Sequence, residues 1–342
     1  MYNLKNDYNQ GCHKNILKRL NDENMKQFDS YGEDSISCSA KEKIRKFLKN
    51  EDCDLHFLSG GTQTNLVLIS SVLKPYQGVI SARTGHIYVH ETGAIEATGH
   101  QIIPIETMDG KITAVQVEDV ITKHNNDENH EHTVQPGMVY ISNPTELGTI
   151  YRKQELLELY QICKKHNIPL YMDGARLASA LTAKENDVDF TDLCNLCDMF
   201  YIGGTKCGAL LGECLVIVNK KYQKDFRYSM KQKGALLAKS FILATQFDEL
   251  FTNNLYLELG YYENQLANKI SENLTGKIDF FQKQYTNQIF PILSNVKIEE
   301  LKKKYSFYIW DKIDEEHLAV RICVSWGTNI KIVDELIADL IK

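Results

Sequence analysis

The sequence lacks any run of about 18 apolar residues, the length that a membrane-spanning helix needs. Its first residues, MYNLKNDYNQGCH, are polar and lack the apolar core of a signal peptide. Internal repeats and long low-complexity tracts are absent as well. These absences exclude a membrane-spanning protein and give no sign of secretion. We therefore expect a cytoplasmic protein with no membrane partner.

The chain also lacks an excess of positive charge. Its 39 Lys and Arg residues stand against 45 Asp and Glu residues, which gives a net charge of −6. Proteins that bind nucleic acid need clustered basic side chains to neutralise phosphates. We therefore expect no nucleic-acid partner.

Cysteines and histidines are too scattered to define a disulfide framework or a metal site. The nine cysteines are spread over 342 residues, unlike those that stabilise small secreted domains. The one CxxC pair, Cys194 and Cys197, has no second ligand pair at zinc spacing. His130 and His132 lie in a polar stretch, residues 125–132, without a fixed third partner. We expect buried reduced thiols, an exposed connection at 125–132 and no bound metal.

What the sequence does contain is an alternation of strand-like and helix-like apolar runs. Seven runs are typical of strands: residues 56–58, 78–82, 101–105, 138–142, 169–172, 199–202 and 214–218. Runs between them, at 62–73, 114–123 and 152–166, repeat apolar residues with a period of about 3.6. Strands joined by crossover helices indicate a mostly parallel sheet that is covered on both faces. We predict an α/β fold with three layers (αβα) over residues 1–245.

The pattern changes after about residue 245. Helical stretches at 246–275 and 296–304 surround short strand-like pieces at 306–310 and 319–324, and 331–341 is again helical. We predict a smaller α+β C-terminal domain over residues 246–342, to which the N-terminal segment 1–30 contributes. The substrate is expected at the junction of the two domains, with residues 1–30 also reaching the active site.

Four clusters of chemically active residues each follow a predicted strand, and in α/β sheets ligands bind where parallel strands end. The first cluster is LSGGTQTN, residues 58–65, in which two glycines and Thr62 precede a helix. The free amides of a helix N-terminus suit an anion such as phosphate. No Lys-Ser/Thr pair follows, so this is not a Walker loop. An ordinary turn with Thr62 as the N-cap is the alternative.

The second cluster is YMDGAR, residues 171–176. Asp173 at a strand end can keep a pyridine nitrogen protonated, which makes the ring an electron sink. Arg176 follows three residues later and can grip a carboxylate with two parallel hydrogen bonds. A local ion pair between these two side chains is the alternative interpretation.

The third and fourth clusters supply an amine and an imidazole. YIGGTKCG, residues 201–208, places Lys206 among small residues, where a lysine of lowered pKa can form a Schiff base. The alternative is a lysine that extends into solvent from a strand end. GHIYVHETGA, residues 85–94, contains His86, which can stack on a planar cofactor or transfer a proton. A packing role at a helix start is its alternative.

Together these motifs resemble the threonine aldolase/β-eliminating lyase family of fold-type I, aspartate-aminotransferase-like enzymes. The matching motifs are NDYNQG, YGED, GGTQTN, TGHIYVHETGAIEATGH, MDGARL, GGTKCG and VRICVSW, which span nearly the whole chain. The resemblance implies pyridoxal 5′-phosphate as the cofactor and a small amino acid as the substrate. It implies cleavage of L-threonine or L-allo-threonine to glycine and acetaldehyde.

The same resemblance assigns the cofactor site. Lys206 carries the cofactor, Asp173 pairs with its ring nitrogen and His86 stacks on its ring, and these three are the expected catalytic residues. Gly61 and Thr62 match the phosphate-binding pair. Full retention of Lys206, Asp173 and His86, together with Arg176 and Arg321, argues against a loss of chemistry. A protein that binds the cofactor without catalysis is the alternative of another class, and a protein without cofactor is a third.

The resemblance also assigns the substrate site and the assembly. Arg176 and Arg321 match the arginines that grip the substrate carboxylate, and Arg176 is counted with the cofactor-binding residues as well. Asn6 falls where the family often has a serine near that carboxylate. The family forms homodimers or homotetramers with sites at subunit interfaces. A neighbouring subunit's basic residue often reaches the phosphate, and Lys239 and Arg227 are the candidates here.

One segment departs from the family pattern. Threonine aldolases often have Asn-Thr-His-Asn after the strand that precedes the Asp strand, with the histidine near the substrate β-hydroxyl. Here residues 142–146 are Ser-Asn-Pro-Thr-Glu, so Thr145 or Glu146 takes that place. The departure leaves the cofactor assignment intact. It keeps a β-eliminating lyase and an aminotransferase of the same fold open as alternatives.

Overall fold

The structure is a computed structural model that describes every residue from Met1 to Lys342. Its strands form three sheets. The strands are β1 (Tyr2–Asn3), β2 (Asp54–Leu58), β3 (Gln77–Ala82), β4 (Ile102–Ile105), β5 (Gln135–Ser142), β6 (Leu170–Asp173), β7 (Met199–Gly203), β8 (Glu213–Ile217), β9 (Phe280–Gln282), β10 (Gln288–Ser294), β11 (Tyr305–Ser306), β12 (Tyr308–Lys312) and β13 (His317–Cys323).

Helices connect most of these strands, and none of them combines the length and the apolar character needed to cross a bilayer. The α-helices are α1 (Lys14–Glu23), α2 (Ser35–Leu48), α3 (Gly61–Val72), α4 (His86–Val89), α5 (Ala114–Asn126), α6 (Lys153–Lys165), α7 (Leu177–Leu181), α8 (Phe190–Leu196), α9 (Phe226–Gln232), α10 (Phe241–Leu250), α11 (Leu255–Leu274), α12 (Asn295–Leu301) and α13 (Ile330–Ile341). Short 3₁₀ turns lie at Glu96–Thr98, His130–His132 and Lys220–Tyr222.

The largest sheet has seven strands in the order β2-β8-β7-β6-β5-β3-β4. The strands β7, β6, β5, β3 and β4 are parallel to their neighbours in this series, whereas β8 is antiparallel to both β7 and β2. All seven predicted strands are therefore confirmed, and so is the mostly parallel α/β sheet.

Helices cover both faces of this sheet, which explains why its strands are apolar throughout. Side chains alternate between the two faces along a strand. In β6, Leu170 and Met172 join a core with α2, α5, α6, α8 and α10, while Tyr171 joins a second core with α3 and α9. The predicted three-layer αβα arrangement is the one observed.

The C-terminal part of the chain forms an antiparallel sheet in the order β12-β13-β10-β9. It shares a separate apolar core with α11, α12 and α13. The N-terminal segment joins this part, because β1 pairs in parallel with β11 and Leu4 is buried in the same core. The predicted division at residue 245 falls inside α10 and stays a prediction.

Two details of the C-terminal part differ from the prediction. The prediction that residues 246–275 are helical throughout is wrong, because the helix is interrupted between Leu250 and Leu255. Asn253 and Asn254 there have φ values of 52° and 62°, a left-handed conformation that asparagine tolerates better than most residues. Strand β10 was not predicted because it contains Pro291, which lies at a register shift where β10 pairs with β9.

The exposed connection predicted at residues 125–132 is confirmed, and the prediction for the cysteines holds for most of them. All nine cysteines are free and seven are buried, including Cys194 and Cys197, but Cys12 is half-buried and Cys38 is exposed, so the expectation of a buried thiol is wrong for Cys38. Residues 125–132 are exposed along their length, where α5 ends and a 3₁₀ turn follows. Neither region enters the candidate site.

Candidate active site

A cavity of about 720 Å³ opens where several parallel strands end. Residues that directly follow β3, β5, β6 and β7 contribute to its wall, and residues from β12, β13 and the N-terminal segment close it from the other side. The lining residues are Tyr8, Arg83, Thr84, His86, Val89, His90, Glu146, Arg176, Lys206, Tyr308, Ile309, Trp310, Asp311 and Arg321. The cavity therefore lies at the predicted junction of the two parts of the chain.

Lys206 presents a free amine to this cavity. It makes no hydrogen bond or ion pair within the protein, and its Nζ lies 5.9 Å from the centre of the Tyr8 ring. Burial, followed by the nearby charge of Arg176, holds the pKa of Lys206 below its usual value. A Cβ on Gly203 would lie 2.3 Å from the Ala175 carbonyl oxygen, so the loop needs glycine there. The result is an amine suited to nucleophilic attack.

Asp173 is a buried carboxylate that hydrogen bonds keep ionised. Its Oδ1 accepts a hydrogen bond from the Ala175 backbone N–H (3.0 Å), and its Oδ2 accepts one from the Tyr140 hydroxyl (2.7 Å). Burial alone would raise the pKa of Asp173, but the charge of His86 and hydrogen bonds from Tyr201 and Tyr140 outweigh it. The pKa therefore lies below its usual value. Such a carboxylate is ready to pair with a cationic group.

His86 is connected to Asp173 through a buried hydrogen-bond network. His86 Nδ1 and Glu91 Oε1 are 2.8 Å apart, and the same Glu91 oxygen accepts a hydrogen bond from Asn65 Nδ2 (2.7 Å). Asn65 Nδ2 also lies 3.3 Å from Asp173 Oδ2, and its Oδ1 accepts a hydrogen bond from the Tyr171 hydroxyl (2.7 Å). This network fixes the orientation of the His86 ring at the cavity wall.

Arg176 pairs with Asp7 from the N-terminal segment. Arg176 Nε and Nη2 donate to the two oxygens of Asp7 at 2.6 and 3.2 Å. Burial would raise the pKa of Asp7, but the charges of Arg176 and Lys206 and the hydrogen bonds it accepts lower it to about 2. The alternative of a local Asp173–Arg176 ion pair is therefore wrong. The pairing leaves Arg176 Nη1 uncommitted at the cavity wall.

Arg321 reaches the same cavity from β13. Its guanidinium carbon lies 5.0 and 5.4 Å from the centres of the Tyr308 and Trp310 rings, and its Nη2 donates to the Lys5 carbonyl oxygen (3.1 Å). Its Nε is buried and has no hydrogen-bond partner in the protein. A buried donor of this kind is costly unless a ligand accepts its hydrogen bond.

Three other predicted groups lie beside the cavity instead of lining it. Asn6 does not line it, and Asn6 Oδ1 accepts a hydrogen bond from the Tyr8 backbone N–H (3.3 Å). Gly61 begins α3, where an added Cβ would lie 2.9 Å from the Tyr201 hydroxyl. Thr62 is exposed in the first turn of α3. The roles predicted for these residues stay predictions.

The two candidates for contact with a neighbouring subunit's phosphate lie outside the cavity. Arg227 Nη2 donates to the Tyr31 carbonyl oxygen (3.1 Å) and pairs with Glu33 (3.0 Å). Lys239 is exposed just before α10. Their assignment also stays a prediction.

Three buried carboxylates near the site were not predicted, Asp7, Glu91 and Glu213, and a fourth, Glu146, was predicted only as an alternative to Thr145. Asp7 pairs with Arg176, and Glu91 contacts the His86 ring. Glu213 accepts hydrogen bonds from the Gly204 backbone N–H (2.9 Å) and the Thr205 hydroxyl (2.8 Å), and so orders the loop that carries Lys206. Glu213 begins an apolar strand, whereas Asp7 lies in a polar segment, so the sequence gives these carboxylates no common signal.

Glu213 should make the stability of the protein fall as the pH rises. Burial raises the pKa of Glu213 from 4.5 to about 7. Between these values the unfolded chain has lost this proton and the folded chain retains it, so the free energy of unfolding decreases with pH. We expect Glu213→Gln to make this decrease shallower in urea titrations from pH 4.5 to 7. Glu131→Gln, at an exposed position, is the control. Identical slopes for wild type and Glu213→Gln would contradict the prediction.

Comparison with known proteins identifies the family. A family model described as beta-eliminating lyase matches residues 13–296. The chain belongs to the beta-eliminating lyase family. The predicted family and the predicted class of enzyme, a lyase, are thus confirmed.

Individual relatives agree with this assignment. The low specificity L-threonine aldolase of Pseudomonas sp. is 29% identical over 318 residues, which cover 91% of this chain and 89% of the relative. A solved structure of Leishmania major threonine aldolase is 42% identical, with a TM-score of 0.96 over 99% of this chain and 98% of that one. A Thermus thermophilus aspartate aminotransferase double mutant, 11% identical, has a TM-score of 0.72 over 99% of this chain and 90% of that one. The last comparison shows that the chain has the predicted aminotransferase-like fold.

Proposed function

We propose that the protein is a pyridoxal-phosphate-dependent aldolase that cleaves β-hydroxy amino acids, converting L-threonine or L-allo-threonine to glycine and acetaldehyde. The observation that carries the proposal is one cavity lined by a partnerless amine, Lys206, and two arginines, Arg176 and Arg321, with the buried, ionised carboxylate of Asp173 within electrostatic reach of Lys206. The threonine aldolases of Pseudomonas sp. and Leishmania major support the same activity.

The residues of the site fit pyridoxal phosphate. Lys206 offers a free amine for the cofactor aldehyde, and Asp173 offers a buried carboxylate for the ring nitrogen. His86 has a fixed ring at the cavity wall, and the first turn of α3 at Gly61 and Thr62 offers free backbone amides for the phosphate. When bound, the cofactor supplies an electron sink for the bond that breaks at the substrate Cα.

Arg176 and Arg321 provide the site for the substrate carboxylate. Arg176 is held rigid by Asp7, and Arg321 by Tyr308 and Trp310. The unpartnered Nε of Arg321 and the uncommitted Nη1 of Arg176 can donate to the carboxylate oxygens. Two fixed cations orient the amino acid in the cavity, which determines which of its Cα bonds is broken.

A screen of amino acids with three separate readouts tests the proposal. Purified enzyme with added cofactor is incubated with L-threonine, L-allo-threonine and L-serine, and aldehyde, ammonia and keto acid are measured separately. We expect acetaldehyde and glycine in equal amounts from at least one threonine isomer, with little ammonia. Ammonia and keto acid without aldehyde would instead indicate β-elimination. Conversion of the cofactor to its pyridoxamine form by an added keto acid would indicate an aminotransferase.

The proposal includes a cytoplasmic homodimer or homotetramer with active sites at subunit interfaces. Nine free cysteines support a reducing compartment. Exposed apolar side chains near the site, such as Val89, Leu210 and Leu211, support contact with a second copy of the chain. Light scattering on the purified enzyme measures the mass that tests this assembly.

A further inference from the structure

A carboxylate that the cofactor does not require lies in the wall of the cavity. Glu146 follows β5, and its Oε1 accepts hydrogen bonds from the His86 backbone N–H (2.9 Å) and the Ser142 hydroxyl (2.8 Å). Its Oε2 has no hydrogen-bond partner in the protein and is not sealed from solvent, since Glu146 lines the cavity. One oxygen therefore fixes the side chain while the other is available to a ligand.

Most other groups at the site that could accept a proton already have another role. Lys206 would hold the cofactor, the buried Asp173 would pair with its ring nitrogen, and His86 uses its Nδ1 to contact Glu91. His90 also lines the cavity, but its exposed side chain makes no hydrogen bond that would fix it. Glu146 is the proton acceptor that the protein holds in a defined position, which is what proton transfer requires.

The surroundings of Glu146 make it a stronger base than an exposed carboxylate. Burial raises the pKa of Glu146, and the neighbouring Asp173 carboxylate raises it further. The Ser142 hydrogen bond and the charge of His86 act in the opposite direction without cancelling the increase. A carboxylate with a raised pKa is a stronger base than an exposed one, and it returns the proton more readily than a lysine does.

We propose that Glu146 accepts the proton of the substrate β-hydroxyl during Cα–Cβ cleavage. This inference rests on the aldolase function proposed above. The O–H bond breaks and its proton passes to Oε2, the C–O bond becomes the carbonyl of the aldehyde, and the Cα–Cβ bond breaks. The electron pair of that bond remains with the Cα side, which takes up one proton and leaves as glycine. Glu146 then loses its proton and is ready for the next cycle.

The substitution Glu146→Gln tests this role with little change in shape. A glutamine oxygen can still accept the hydrogen bonds from His86 and Ser142, but it cannot take up a proton. We expect kcat for threonine cleavage to fall by about 10² to 10⁴-fold, the usual contribution of a general base.

A second readout separates this role from cofactor binding. Exchange of a glycine α-hydrogen in D₂O, followed by NMR, needs the cofactor and Lys206 but involves no β-hydroxyl. Glu146→Gln should therefore exchange glycine at a rate near that of wild type and keep its visible absorption band. Glu131→Gln removes an exposed carboxylate outside the cavity lining and should retain both reactions.

Each alternative outcome has a distinct meaning. Undiminished cleavage by Glu146→Gln, or loss of cleavage in His90→Asn instead, would overturn the assignment. Loss of glycine exchange together with cleavage would also overturn it, since Glu146 would then act by holding His86. If the wild-type enzyme releases no aldehyde from any β-hydroxy amino acid, the proposed function itself fails, and the role of Glu146 fails with it.

Discussion

Replacing Lys206 with alanine should abolish cleavage of β-hydroxy amino acids and allow the cofactor to be removed by dialysis. The side chain is the only unpaired amine in the cavity wall, and burial lowers its pKa so that the neutral, nucleophilic form is accessible. Loss of a covalent nucleophile is among the costliest changes in an enzyme. We expect kcat to fall by at least about 10³-fold.

Absorbance and activity after dialysis measure this effect. The wild-type enzyme should keep a yellow band through dialysis, whereas Lys206→Ala should lose it. Lys221→Ala, which removes an exposed lysine outside the cavity lining, should behave like the wild type. If the Lys206→Ala protein retained the band as firmly as the wild type, another residue would hold the cofactor.

The substitution Asp173→Asn should reduce turnover far more than binding. An asparagine can still accept the hydrogen bonds from Tyr140 and Ala175, so the fold around it should persist. It carries no charge, however, and cannot keep a ring nitrogen protonated as the substrate bond breaks. Because the electron sink matters mainly in the transition state, we expect kcat to fall by about 10² to 10⁴-fold.

Equilibrium titrations separate the two effects for Asp173. The dissociation constants for the cofactor and for glycine should stay close to those of the wild type while kcat falls. Asp187→Asn, at an exposed position outside the cavity lining, is the control. Equal losses in binding and turnover would mean that Asp173 holds the cofactor without tuning its chemistry.

Much of the sheet could be predicted because buried parallel strands leave a local signal. The strands β5 and β6 are apolar on both faces, so YIS and LYM stand out without any knowledge of their neighbours. The positions of Lys206 and Arg176 could also be anticipated, since parallel strands bring their carboxyl ends to one edge. In these cases a local pattern is sufficient to determine the position in three dimensions.

The partners of the site residues could not be predicted, because they depend on contacts between distant segments. Asp7 and Arg176 are 169 residues apart, and a polar N-terminal segment gives no hint of their pairing. Asn65 in α3 donates a hydrogen bond to Glu91, 26 residues away, because the fold brings α3 close to the residues that follow α4. The sequence left Thr145 and Glu146 as alternatives, and only the structure shows that Glu146 lines the cavity with its Oε1 held by the His86 backbone N–H.

Lys206 is expected to form the covalent bond to pyridoxal phosphate. This expectation is tested most directly by reducing the cofactor-loaded enzyme with borohydride and locating the modified lysine by peptide mass spectrometry. We expect a single modified residue, Lys206, in the GGTKCG segment. A reduced adduct on a different lysine, or none at saturating cofactor, would contradict it.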